Sequence, residues 1–268
     1  MHFRGTSSRS VPSVPSPGVR IDYMLSDSID GDLTLEIQDS EGKVVRSFSS
    51  SPTSKDSTQK GEVSMATGFR PLGENAYLST AKGHHRVTWD MRHEGPIKKK
   101  GARRNPGGPL VAPGTYQLVM KSSLGEQSAA VAIAGDPRVL EQGIKESDMQ
   151  AQEELSLKVR DLLSSLNTLY NEVKKQEKAF NKQIKAKGAD VKSAEKSLAK
   201  LTPLRDELIT QEGRYMTPML ADQCGYLYYM LLQADQHPGK DAYDRYEELK
   251  AWYDRLQGME LPHAVEGR

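Results

Sequence analysis

The sequence predicts an all-β half followed by an all-α half. An antiparallel β-sandwich of immunoglobulin type spans residues 18–136, and an elongated antiparallel helical bundle with a protruding coiled-coil hairpin spans 147–258. Three observations carry this. Before Asp136-Pro137 lie most of the glycines and prolines, with several runs of apolar residues alternating at a period of two. After it Leu, Lys, Glu, Gln and Ala dominate, and apolar positions recur every three or four residues. A chain of 268 residues also has room for two separate cores.

In the first half, Val19, Ile21, Tyr23 and Leu25 fall on one face of a half-buried strand, and Leu33-Thr-Leu-Glu-Ile37 repeats the pattern. Asp39-Ser-Glu-Gly42 supplies a turn before Lys43-Val-Val-Arg-Ser-Phe48, so these two runs predict a hairpin. A Ser-rich loop covers 49–64, and Arg86-Val-Thr-Trp89 predicts the next strand. Residues 93–109 are rich in Lys, Arg, Pro and Gly and are expected to form an exposed loop. Thr115 to Lys121 and Gln127 to Ala134 alternate again, as a closing hairpin around Leu124-Gly125. Six or seven short strands with turns between them fit a sandwich, and Trp89 is the expected aromatic of its disulfide-free core.

In the second half, Ser147-Asp148 offers a helix N-cap, after which apolar residues sit at 155, 159, 162, 166, 169, 173, 180 and 184. That spacing predicts a coiled-coil seam interrupted by Gln176, on a helix from about 148 to 186 of roughly 57 Å. Lys187-Gly188 ends it and Asp190 caps the return. Val191, Ala194, Leu198, Leu201 and Leu208 line a second helix, which Pro203 is expected to interrupt or bend. Thr217-Pro218 reads as the start of a third helix through Leu220, Cys224, Leu227 and Leu231. After His237-Pro238-Gly239 a fourth carries Tyr243, Tyr246, Leu249, Tyr253 and Leu256 on one face. Residues 137–146 are then a connector and 259–268 a tail.

Charge and composition narrow the function classes. The net charge is +1, with 17 basic and 13 acidic residues up to position 135, so the strongly basic footprint of a nucleic-acid binder is missing. Cys224 stands alone, which excludes an intramolecular disulfide and a Cys-rich zinc site, and its Leu neighbours at helical spacing point to a buried structural thiol. No apolar run approaches the roughly 18 residues of a membrane span, so no spanning segment is expected. The first 21 residues lack the apolar stretch of a secretory signal. A transit peptide shares their Arg and Ser bias, but Pro12, Pro15 and Pro17 favour an extended linker over 1–17, as in the tail of something longer. The compartment stays open.

Gly83 to Arg92, with its Trp89-Asp90 pair, and Val111-Ala-Pro-Gly-Thr-Tyr116 resemble the immunoglobulin-like domain of flagellar hook-capping proteins. There a G-x-N-x-V-x-W-D-G strand precedes V-A-P-G-x-Y. His85 stands in place of the usual Asn and Met91 in place of Gly, and the intervening loop is enlarged. From about residue 15 to 258 the order of motifs also resembles the C-terminal region of bacterial sortilin-like proteins, whose propeller of BNR-type repeats is often labelled a glycosyl hydrolase. The matching stretches are Pro17 to Leu25, Leu35 to Arg46, Trp89 to Arg92, Ala112 to Tyr116 and Asp136 to Arg138. The resemblance implies an accessory module, exported in the relatives, with Trp89, Asp90, Pro113, Gly114 and Tyr116 as fold signatures. Any catalytic residue of the propeller lies outside this chain.

The candidate sites follow. Lys98, Lys99, Lys100, Arg103 and Arg104 form a basic loop that suits phosphate, an acidic polysaccharide or an anionic surface, or is simply solvated. The stretch 174–200 carries nine lysines, among them Lys178, Lys182, Lys185 and Lys192, fit for an acidic partner or for solubility alone. Aromatics crowd the last two helices. Most belong in a core, and Tyr228 and Trp252, off the main stripes, are the ones expected to meet a glycan or an interface. His85, His93 and Glu94 have metal-ligand chemistry, but His84 and His85 point to opposite faces of a strand and a surface edge is the plainer account. Asp27, Asp30 and Asp32 match no calcium loop. No phosphate-binding Gly-rich loop, nucleophile elbow or H-E-x-x-H is present. The expectation is therefore a noncatalytic interaction or scaffolding module without cofactor, binding a neighbouring subunit or a propeller domain. The alternative is a carbohydrate-binding accessory of a propeller-type glycoside hydrolase.

Overall fold

The computed structural model describes residues 18–51, 77–102, 106–186, 191–211, 213 and 216–263. The 1–17 linker, most of the Ser-rich loop, Arg103, Arg104 and the turn at 187–190 lie outside the described residues. All strands precede Pro137 and the helices follow Asp136, so antiparallel sheets are joined to a long helix and several shorter ones.

β1 (Val19–Leu25) pairs with β4 (Gly83–Trp89), Val19 opposite Trp89. A second sheet has the order β3 (Val44–Ser49), β2 (Thr34–Gln38), β5 (Gly114–Ser122), β6 (Gly125–Ile133). The β2–β3 turn closes because Asp39 Oδ1 accepts from Glu41 N (3.0 Å) and Lys43 N (2.9 Å), while Gly42 takes a φ of 80° that a side chain would disfavour. Alternation then drives one face inward. Ile21 and Val87 from the first sheet share an apolar core with Leu35, Ile37, Val45, Phe48 and Tyr116 from the second. Trp89 sits in that core with no exposed surface, edge-on to Tyr116 at a ring separation of 5.6 Å.

The helical half begins with a short α1 (Pro137–Glu141), where the sequence predicts only a connector. Asp136 caps it, its Oδ1 accepting from Arg138 N. α2 (Glu146–Lys185) starts just before the expected Ser147-Asp148 cap: Asp148 sits one turn inside, its Oδ2 accepting from Lys145 N (2.9 Å). Leu155, Val159, Leu162, Leu166, Val173 and Phe180 are its buried seam. α3 (Val191–Leu208) continues through Pro203, which removes one backbone donor without ending the helix. α4 (Leu220–Leu231) starts at Leu220 rather than Thr217, and α5 (Lys240–Gln257) follows. Leu201, Leu204, Leu220, Cys224, Tyr228, Leu249 and Leu256 close one core with the α2 seam, and Met259 and Leu261 pack against it. No helix among the described residues is long and apolar enough to cross a membrane.

Candidate functional site: a docked basic loop and the cleft beside it

The turn after Trp89 is built from its own residues. Asp90 Oδ1 accepts from Arg92 N (3.3 Å), Trp89 Nε1 donates to Arg92 O (3.0 Å), and Val111 N donates to Met91 O (2.9 Å). Met91 has φ 57°, the left-handed conformation that suits glycine. His93 N donates to Pro109 O (2.9 Å), and the chain packs so closely here that a Cβ on Gly108 would collide with His93 O. Pro113, half-buried, leads into Gly114, the first residue of β5, and Tyr116 Oη donates back to Ala112 O (2.7 Å). Burial pushes the Tyr116 phenol pKa up, with the negative charges of Glu153 and Asp39 adding to the rise.

Beyond this turn the loop is not free, which corrects the expectation of an exposed segment at 93–109. His93, Pro96, Gly108 and Pro109 are buried. The reason is a polar stripe on α2. Glu153, Arg160, Ser164, Asn167 and Asn171 recur at helical spacing on one face, and each holds a backbone or side-chain group of the first half. Glu153 takes His93 Nε2 on one carboxylate oxygen and Ala112 N (3.1 Å) on the other. Arg160 Nη1 donates to Glu94 O (3.3 Å), and Ser164 Oγ accepts from Ile97 N (3.2 Å). Asn167 Nδ2 donates to Ile97 O (2.8 Å), while Asn171 both donates to Lys98 O (3.1 Å) and accepts from Lys100 N (2.7 Å). Without these partners the loop's peptide groups would lose water for nothing, at about 1–3 kcal/mol each.

The three lysines fare differently. Lys99 lies 4.3 Å from the centre of the Tyr170 ring and 3.3 Å from Asp222; a half-buried cation–π contact of this kind contributes about 0.5–2 kcal/mol. Lys98 is half-buried, its carbonyl held by Asn171, and Lys100 is exposed. So Lys98 and Lys99 belong to an internal junction rather than to a basic patch. Lys178, Lys182, Lys185 and Lys192 by contrast are exposed, with no carboxylate of the described residues within 4 Å.

The aromatic expectation also needs correction. Tyr228 is fully buried and its Oη donates to Gly107 O (2.7 Å), so the ring stacks on no sugar. Burial raises its pKa. Trp252 is half-buried, its Nε1 donating to Glu207 (2.8 Å) with Arg255 over the ring. The exposed rings of α4 are Tyr226 (67%) and Tyr229 (43%), beside Met230. Tyr226 and Met230 line a groove of about 560 Å³ between α4 and α5. Cys224 is enclosed, its thiol pushed up to about 12 by burial, which leaves it unreactive.

His85 bonds Ala81 O, His93 bonds Glu153 and Glu94 pairs with Arg46, so the three residues with metal-ligand chemistry look in different directions. Among the described residues no group of three or more His, Cys, Asp or Glu could hold a metal ion. Where the two halves meet, a cleft of about 720 Å³ opens between the 109–113 segment, the 133–137 corner, the first turns of α2 and the end of α4. Gln152 Nε2 donates to Leu231 O and Ala234 O and closes the α4 end of that cleft. No family model and no curated protein matches the sequence.

Proposed function

We propose that the chain is a noncatalytic interaction module. In this reading an immunoglobulin-like sandwich and a helical bundle form one accessory unit, and a coiled-coil hairpin built by α2 and α3 presents a lysine face to an acidic protein partner. The relationship to the C-terminal region of sortilin-like propeller proteins, with the propeller as its neighbour, belongs to the same proposal.

The observation that carries it is the lysine face. Lys178, Lys182, Lys185 and Lys192 stand exposed with no carboxylate of the described residues within 4 Å, although Lys174 and Lys200 on the same pair of helices are paired with Glu177 and Glu260. Positive charge left unpaired in this way raises the encounter rate with an acidic surface. The docked loop supports the rest, since it ties sheets and helices through α2 so that both are presented together. The Tyr116 hydroxyl bond to Ala112 O, near the start of its strand, is the kind of corner that immunoglobulin-like sandwiches use.

The test is affinity capture from an extract of the source organism, with the full chain and its K178E/K182E/K185E/K192E variant as baits. The proposal expects a partner that the native chain retains at low salt, releases at high salt, and that the variant does not retain. Identical capture by both baits, or none by either, contradicts it. Glycan binding abolished by Tyr226→Ala and Tyr229→Ala would favour the carbohydrate-binding alternative.

A further inference from the structure

We propose that the cleft between the sheets and the helices binds a small carboxylic acid with an apolar body, with Arg92 as its counter-charge. Arginine is almost never enclosed without a partner, because the desolvated charge is costly. Arg92 has only 8% of its surface exposed, yet its one side-chain hydrogen bond is Nη1 to Gly108 O (3.0 Å) and no carboxylate of the described residues lies within 4 Å of it. A guanidinium carries five N–H donors in a planar fork. Its remaining donors have no acceptor among the described residues, and none of them is sealed from solvent.

Arg92 lines the cleft of about 720 Å³. Ser156 lines it too, with 1% of its surface exposed and a hydroxyl that makes no hydrogen bond within the described residues. The volume is that of a small-molecule site, and such sites favour junctions between structural units. Leu110, Val111, Met149 and Leu231 make much of the remaining wall apolar.

None of the acids around the cleft pairs with Arg92. Both oxygens of Glu153 are taken by His93 and Ala112 N, Asp136 is held by Arg138, and Asp235 is exposed to solvent. Arg92 is the one Lys or Arg of that lining, with no carboxylate of the described residues within 4 Å, and it can match one anion. The planar carboxylate fits the fork of a guanidinium in two parallel hydrogen bonds. A phosphate dianion brings a second charge with no partner, and an ammonium adds to the first.

The experiment is isothermal titration of the full chain with 4-phenylbutanoate, set against 4-phenylbutanol and 4-phenylbutylammonium. The acid should bind at one site, and the alcohol more weakly by on the order of thirtyfold, the cost of leaving one partner of a buried charge pair unmatched. Arg92→Met should weaken the acid by a similar factor. Ala234→Trp, placed on an exposed rim residue of the cleft, should block it. No binding of the acid at millimolar concentration overturns the proposal, as does binding of the ammonium with equal strength or acid binding unchanged in Arg92→Met. Should Arg92→Met fail to fold, unchanged binding to Ala234→Trp overturns it by itself.

Discussion

His93 and Glu153 decide the junction at the scale of single residues. With 8% and 17% of their side chains exposed, they satisfy each other across the boundary between the two halves, and Glu153 also receives Ala112 N. Removing the imidazole leaves a mostly enclosed carboxylate with one donor fewer, so His93→Ala should lower stability by about 1–3 kcal/mol. Urea denaturation measures this, and a loss within about 0.5 kcal/mol would mean that water replaces the ring at no cost. Trp89 was readable from sequence because its strand alternates and a large aromatic must be enclosed somewhere. His93 was not, because Lys98 to Arg104 just downstream give its segment the composition of a solvated loop. Tyr228 misled for a related reason. Its place off the apolar stripe suggested exposure, whereas the docked loop supplies the carbonyl, Gly107 O, that lets the hydroxyl be buried.

Secondary-structure elements show the same split between what periodicity reveals and what it hides. The α2 seam was legible because Leu155, Val159, Leu162, Leu166 and Val173 repeat at three and four. The stripe of Glu153, Arg160, Ser164, Asn167 and Asn171 looks like an ordinary solvent face, since sequence alone does not say that another segment's backbone will lie across it. Asn167, 5% exposed, was the available hint, a short amide beside Leu166 within the seam. Farther along α2, Glu177 meets Lys174 (3.0 Å) and Arg205 of α3 (3.1 Å). Burial alone would raise its carboxyl pKa, but the hydrogen bonds from Lys174 and Arg205 outweigh it and hold the value below the ordinary 4.5. A lowered folded value makes the contribution full above pH 4.5 and lost as the pH falls through the folded value. Glu177→Gln should therefore flatten the acid limb of stability against pH by at most about 1 kcal/mol while leaving it unchanged in shape above neutrality. Urea midpoints taken across that range check it, and an acid limb identical to the native one would show that the ion pairs contribute nothing.

At the scale of the whole molecule, the two halves that the sequence predicts as domains in tandem are tied together by hydrogen bonds between the 93–112 segment and α2. Each half has its own apolar core, which is why the division at Asp136 was easy to read. What joins them is backbone of the 93–112 segment bonded to polar side chains of α2, a contact with little hydrophobic signature and hence little trace in composition. If that junction holds, sheets and helices should unfold together. The most direct measurement is equilibrium urea unfolding of a Trp252→Phe chain, following Trp89 fluorescence for the sheets and circular dichroism at 222 nm for the helices. Coincident transitions are expected, separating into two when Ser164, Asn167 and Asn171 are all replaced by Ala. Two separate transitions in the chain that retains those three residues would contradict the account.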